Sequence, residues 1–414
     1  MSPPLTRAAL AALDAADPLA AFRNRFTLPP GVIYMDGNSL GALPNATPAR
    51  VAEVVATEWG QGLIGSWNHH GWIDLASRVG EKIGRLIGAP AGCTVVADST
   101  SLNVFKALAA ALELRPGRRV ILSQRGNFQT DLYMAQGLIR HLGGRHELRL
   151  VEPEEIPAAL DDTVAVLLLT HVDYLTGRLH DMAAITRAAH AAGVLTVWDL
   201  AHSAGAVPVD LAAAKADFAV GCGYKFLNGG PGAPAFFFAA PHLHAHMRLP
   251  LTGWLGHAAP FDFDGAWRPA AGIAQAIVGT PPILSLCALE VGVDIALEAP
   301  MAQVRKKSLR QTALLAELVG QECAGHGFRL VTPRAEPERG SQVSLAHPHA
   351  YPIMQALIAA GVTGDFRTPD ILRFGITPLY LGYAELWDAV RILRGIMQAG
   401  TWRETRFHAR QAVT

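Results

Sequence analysis

The stretch Val194-Leu195-Thr196-Val197-Trp198-Asp199-Leu200-Ala201-His202, and beyond it Asp217-Phe218-Ala219-Val220-Gly221-Cys222-Gly223-Tyr224-Lys225, decides how this chain folds. Each contains a short apolar run with no polar alternation, the pattern of a strand buried on both faces. Working outward, residues 164–169 (VAVLLL) read as an earlier strand of the same kind. Residues 182–192 read as a helix with Gly193 as its C-cap, and residues 235–238 (AFFF) as a later strand. Buried strands alternating with helices predict a mainly parallel sheet covered on both faces. In such folds the working groups collect at the carboxyl ends of the strands.

The rest of the chain sets the frame. Its 414 residues are half hydrophobic and 17% charged, enough apolar material for a large core and more than one domain. We expect a division into an N-terminal arm (1–45), a large domain (46–290) and a small α+β domain (291–414). Residues 241–282, rich in Gly, Pro and Trp, read as a long functional excursion, and the Ala- and Leu-rich residues 284–319 as a stretch of long helical character. The formal net charge is zero, which gives no electrostatic reason to expect nucleic acid or an anionic membrane as partner. Cys93, Cys222, Cys287 and Cys323 form no C-x-x-C pair, so neither a disulfide framework nor structural zinc is expected. Arg7, Asp14 and Asp17 interrupt the Ala-rich N-terminus, and no run reaches the roughly 18 apolar residues of a membrane span. A cytoplasmic location is expected. His242, His244 and His246 alternate as ligands on a strand would, but no acidic or Cys partner accompanies them, and no metal is expected.

Asp199 ends one strand reading and Lys225 follows the next, so two neighbouring strand ends deliver a carboxylate and an amine to one rim. Pyridoxal phosphate needs both: the lysine holds its aldehyde, and the carboxylate keeps its ring nitrogen protonated so that the ring can accept electrons. Taken singly, Asp199 is equally a helix cap and Lys225 a solvated lysine. Their ordered pairing is what favours the cofactor. Asp98-Ser99-Thr100-Ser101-Leu102-Asn103 precedes the helical run 104–112 and would supply hydroxyls and free N–H groups to a phosphate, or serve only as an N-cap. Phe128-Gln129-Thr130-Asp131 follows the strand reading 120–123, and Phe128 would stack on the ring or pack in the core.

These residues, with Tyr34-Met35-Asp36-Gly37-Asn38-Ser39-Leu40-Gly41, Gly253-Trp254-Leu255-Gly256-His257, Gly279-Thr280-Pro281-Pro282 and Leu372-Arg373-Phe374-Gly375-Ile376-Thr377-Pro378-Leu379-Tyr380, occur in the order and spacing of one family. The chain resembles the kynureninases, pyridoxal-phosphate enzymes of fold type I, over most of its length. The resemblance implies a seven-stranded-type sheet and a homodimer with shared active sites. It implies hydrolysis of L-kynurenine to anthranilate and L-alanine in tryptophan catabolism by the kynurenine pathway, which also feeds NAD biosynthesis. It assigns Thr100 and Ser101 to the phosphate and Phe128 to ring stacking. Gln129, Thr130, Asp131, Thr170, Asp199 and His202 fall beside the cofactor. Tyr224 reaches the phosphate and relays protons, and Lys225 carries the cofactor and moves the substrate α-proton. Trp254 and Thr280 complete the site from the neighbouring subunit. Arg373 takes the substrate α-carboxylate, an assignment the planar guanidinium fork also supports, with Arg367 the alternative. Ser39, Gly279 and Thr280 fall at substrate positions, and Trp67 or Trp72 would line the pocket for an aromatic substrate or pack in the core. Where relatives favour the hydroxylated substrate, Asn stands at the position of Thr280 and Ser at that of Gly279.

Two rivals remain. The first is a cysteine desulfurase or an aminotransferase of the same fold; a desulfurase needs a reactive cysteine on a mobile loop, and Cys323 sits in a helix-end string with no basic neighbour. A non-catalytic scaffold would have no use for the Asp199–Lys225 pair.

Overall fold

The computed structural model describes residues 5–411. They fall into two compact units. One comprises Ala46–Tyr174 and His180–Leu297; the other comprises the chain up to Asn45, Leu175–Leu179, and the chain from Glu298 onward.

The first unit is built on a seven-stranded sheet: β1 (Thr94–Val96), β2 (Val120–Gln124), β3 (Glu147–Val151), β4 (Val164–Thr170), β5 (Leu195–Asp199), β6 (Phe218–Gly221) and β7 (Phe236–Ala239). Their order in space is β1-β7-β6-β5-β4-β2-β3. Strands β2 to β6 pair in parallel, whereas β7 runs antiparallel to β6 and β1. Every residue of β4, β5 and β6 is buried, as expected of strands covered on both faces. The register sets Thr170 opposite Asp199 and Asp199 opposite Val220, so the carboxyl ends of three strands are level. Gly221 closes β6 because a Cβ there would lie 2.4 Å from the Phe236 ring of β7. Two helices approach the same rim: α1 (Thr100–Glu113), capped by Ser99, and α2 (Gln129–His141).

The second unit contains a four-stranded antiparallel sheet in the order Arg329–Leu330, Gln342–Ala346, Ile371–Gly375, Asp365–Arg367. Its core joins Leu10 of the N-terminal helix Arg7–Ala15 to Leu318, Leu372, Leu386 and Val390, and Arg7 pairs with Asp388 at 2.8 Å. The chain up to Asn45 thus belongs to the same unit as the C-terminal segment.

The structure refines three readings of the sequence. Residues 284–319 are two helices, Ile283–Glu298 and Met301–Glu322. Pro300 separates them because it lacks a donor N–H and disfavours a helical residue before it. The helix before Gly193 ends at Ala191 with Ala192 as its cap, and Gly193 follows with φ of 72°. His242 and His244 are not on a strand: Pro241–Leu243 is a 3-10 turn, His242 faces Asp217 at 3.6 Å, and His244 Nε2 lies 2.9 Å from the Ala239 carbonyl. Residues 241–282 also hold two further 3-10 turns, Trp254–Gly256 and Gly272–Ala276, and an isolated antiparallel bridge between His257 and Pro269.

Candidate active site

The level carboxyl ends of β4, β5 and β6 open into a cleft of ≈ 190 Å³. Its wall is made by Thr100 and Ser101 at the start of α1, Phe128, Thr130 and Asp131 at the start of α2, Thr170 at the end of β4 with Val172 and Tyr174 beyond it, Asp199, Ala201 and His202 at the end of β5, and Tyr224 and Lys225 beyond β6. Lys225 Nζ is 3.0 Å from His202 Nε2 and 5.8 Å from the ring centres of both Phe128 and Tyr224.

Asp199 is 3% exposed, and its Oδ1 accepts the Ala201 N–H at 2.8 Å. Burial pushes its pKa up, opposed by the charge of Lys225 and the Ala201 hydrogen bond. Asp131 is buried nearby and raised well above the usual carboxylate range, first by burial and then by the charge of Asp199. Two carboxylates in one dry pocket cannot both ionise cheaply, so Asp131 retains its proton more readily. Asn127 Oδ1 accepts from the Thr170 N–H and hydroxyl, each at 3.0 Å, while its amide donates to Asp131 at 3.4 Å. Tyr174 meets Phe128 edge-on at 5.3 Å and lies 2.5 Å from Gln129 Nε2, fixing the Phe128 ring from the side.

Asn127, Val172 and Tyr174 were absent from the sequence assignment. The available signal was position: each lies within a few residues of a strand end. Gln129 is beside the pocket but off its wall, engaged with Tyr174. Trp67 is also off the wall, half-buried and edge-on to Trp72 at 6.1 Å. Trp254 is 41% exposed, and Gly279 and Thr280 are exposed too.

Ser39 and Arg373 belong to the second unit, where they meet each other. Arg373 is 1% exposed; its Nε donates to Asp365 Oδ1 at 2.8 Å and its Nη2 to Ser39 Oγ at 2.9 Å, with a second contact from Nη2 to Asp365 Oδ2. Arg367 pairs with the same Asp365 oxygen at 2.7 Å. Asp36 beside them is pushed up to about 7, by burial and then by the charge of Asp365. Sequence reasoning missed Asp365, which faces Arg373 directly across the sheet.

The pocket suits pyridoxal phosphate on its own chemistry. Hydroxyls stand at the start of a 14-residue helix for the phosphate, and an aromatic face is available for the ring. An amine is present for the aldehyde. Asp199 has one oxygen occupied by Ala201, leaving Oδ2 for a cationic N–H such as a protonated pyridine. Fold and pocket together define a pyridoxal-phosphate enzyme of fold type I.

Relatives narrow the class. The chain is 52% identical over 414 residues to the kynureninases of Burkholderia pseudomallei (strain 1106a) and Pseudomonas fluorescens, covering 99% of this chain and 100% of each relative. Residues 304–393 match the kynureninase C-terminal domain model. The chain belongs to the kynureninase family. In fold it is similar to an apo cysteine desulfurase from Thermococcus onnurineus NA1, with TM-score 0.76, 17% identity and coverage of 92% of this chain and 98% of that one. A C-DES variant with glycine covalently linked to its PLP cofactor matches with TM-score 0.75 at 15% identity, over 90% of this chain and 98% of that one. The likeness to the desulfurase is one of fold. Cys323 caps the helix Met301–Glu322 and is buried, its thiol pushed up to about 11, the reverse of a reactive thiolate.

Proposed function

We propose that this chain hydrolyses L-kynurenine at its Cβ–Cγ bond, giving anthranilate and L-alanine, in tryptophan catabolism. The observation that carries this reading is the meeting of Lys225, Asp199 and the α1 hydroxyls in one pocket of a chain from this family. Bound pyridoxal phosphate supplies an electron sink for the pair released at the substrate Cα. Lys225 would hold the cofactor aldehyde, and its amine, when free, would take the substrate α-proton. His202, 3.0 Å from Lys225 Nζ, stays close enough to share that proton. Asp199 holds the ring-nitrogen proton. Tyr224 moves protons at the substrate carbonyl that water attacks; burial raises its pKa, so it enters as a protonated donor. Arg373 receives the α-carboxylate, with Ser39 beside it and Asp365 as the anion to be exchanged. Mixing the purified protein with L-kynurenine and following anthranilate fluorescence tests the whole assignment; no fluorescence from cofactor-loaded protein overturns it.

The same reading includes a homodimer with Trp254 and Thr280 acting in the neighbouring subunit's site. Supporting it, Trp254, Phe261 and Phe263 form an edge-to-face aromatic chain that is 41%, 61% and 79% exposed, more apolar area than a solvated loop requires. Hybrids of a Lys225→Ala chain with a Thr280→Trp chain are expected to regain part of the activity that each homodimer lacks, because one of their two sites is intact. Full activity from a monomer in sedimentation would contradict this. The reading of an arm (1–45), a cofactor domain (46–290) and a small domain (291–414) shares its 45/46 boundary with the compact units, which group the chain up to Asn45 with the segment from Glu298. A cytoplasmic location is supported by four free cysteines. Among the described residues no helix is long and apolar enough to cross a membrane.

Substrate choice follows from Gly279 and Thr280. A 3-hydroxyl on the substrate ring would face a short β-branched side chain in place of a reaching amide. An unpartnered phenol costs about 1–3 kcal/mol, so kcat/KM is expected to favour L-kynurenine over 3-hydroxy-L-kynurenine by about tenfold to a hundredfold. Gly279→Ser/Thr280→Asn is expected to narrow or reverse the ratio. Equal efficiency on both substrates in the unaltered enzyme sinks the argument.

A further inference from the structure

Helix α1 carries a lysine that the chemistry above does not use. Lys106 is 0% exposed. Its ammonium contacts Asp98 Oδ2 at 2.7 Å and the Ala276 carbonyl at 2.9 Å, and lies 5.3 Å from the Phe237 ring centre. Burial lowers its pKa and the charge of Asp98 opposes that. A buried ammonium survives only where its partners offset the lost hydration, and removing one partner leaves the other uncompensated.

Asp98 stands directly ahead of the cap residue Ser99 and has φ of 50°. That left-handed conformation disfavours residues with a Cβ and persists when the surroundings impose it. Here they do so at several points. The Asp98 carbonyl accepts the Ala235 N–H at 3.0 Å, and the Asn103 amide donates to the Ala97 carbonyl at 2.8 Å and that of Phe236 at 3.3 Å. Lys106 adds the ionic tie to the Asp98 side chain. Its second bond reaches Ala276, the last residue of the turn Gly272–Ala276, shortly before Gly279 and Thr280.

We propose that Lys106 is a positioning residue for the cofactor phosphate: by holding Asp98 in its left-handed turn, it aims Thr100, Ser101 and the first N–H groups of α1 at the phosphate. The proposal rests on the reading of Thr100 and Ser101 as the phosphate's partners. Through Ala276 the same ammonium joins the phosphate turn to the segment leading to Thr280.

The test separates the phosphate from the ring. Full-length Lys106→Met, stripped of cofactor, is titrated by absorbance with pyridoxal 5′-phosphate and, separately, with pyridoxal, which lacks the phosphate. The dissociation constant for the phosphorylated form is expected to rise about tenfold or more, with that of pyridoxal unchanged. A merely structural role weakens both equally. Equal weakening, or no change in either, overturns the proposal. Lys106→Met/Asp98→Asn, which leaves no unpaired buried charge and suits the left-handed turn, keeps the measurement readable if the single variant does not fold; it is expected to show the same phosphate-specific loss. Thr100→Ala serves as the reference. If it leaves pyridoxal 5′-phosphate binding intact, the phosphate reading itself fails. If it weakens binding while the Lys106 variants do not, only the role given to Lys106 fails.

Discussion

Lys225→Ala is expected to lose turnover by about four orders of magnitude or more, together with the visible absorbance of a lysine-linked cofactor. Two losses combine: the covalent tether and the base for the α-proton. Among the wall residues of the pocket, Lys225 alone carries an amine side chain, so no neighbour takes over. His202, 3.0 Å away, can accept a proton but cannot hold an aldehyde in the same way. Removing Lys225 also removes the charge that lowers the pKa of Asp131 and Asp199, so both carboxyls shift further toward their protonated forms. The check is borohydride reduction followed by mass analysis, alongside the kinetic assay. A cofactor fixed to the variant by reduction, or activity above about 1% of the unaltered enzyme, shows the assignment to be wrong.

Asp199→Asn is expected to lower kcat by about a hundredfold to a thousandfold while leaving the fold intact. An amide still accepts the Ala201 N–H, which keeps the turn after β5. It has no charge with which to hold a proton on the ring nitrogen, so the electron sink weakens. The cofactor-free protein should not suffer, because burial already disfavours the charged carboxylate there. Thermal unfolding of the cofactor-free variant therefore serves as the control and should match the unaltered protein. A kcat within about threefold of the parent would remove Asp199 from the mechanism.

The sheet could be read from the sequence because β4, β5 and β6 are buried on both faces and appear as unbroken apolar runs. Their polar exits, Thr170, Asp199 and Lys225, stood out against that background and meet in the pocket. What escaped notice works through pairing in space. Asp365 neutralises Arg373 from the adjacent strand, a register no single-sequence pattern reveals. Asn127 links Thr170 to Asp131, and as an isolated Asn after a strand it reads as a turn residue. Tyr174 matters for the edge it presents to Phe128. Trp67 illustrates the converse: its size made it a pocket candidate, yet it packs on Trp72. Residues 284–319 read as helical from their Ala- and Leu-rich composition, and Pro300 marks where the two helices part.

The pocket wall draws on the exits of β1, β2, β4, β5 and β6, residues spread from Thr100 to Lys225. Strands β2, β4, β5 and β6 pair in parallel and cannot do so through a short hairpin, so their exits are set only when each crossover has docked. The wall is therefore complete only when these strands have assembled. The cofactor is thereby a ligand of the finished unit alone, and mass action makes it a folding ligand. At a hundredfold excess over its dissociation constant it deepens the native well by about 2.7 kcal/mol, a large share of the margin on which a domain survives. Cofactor binding is therefore expected to raise the resistance of this chain to unfolding as well as to enable its chemistry.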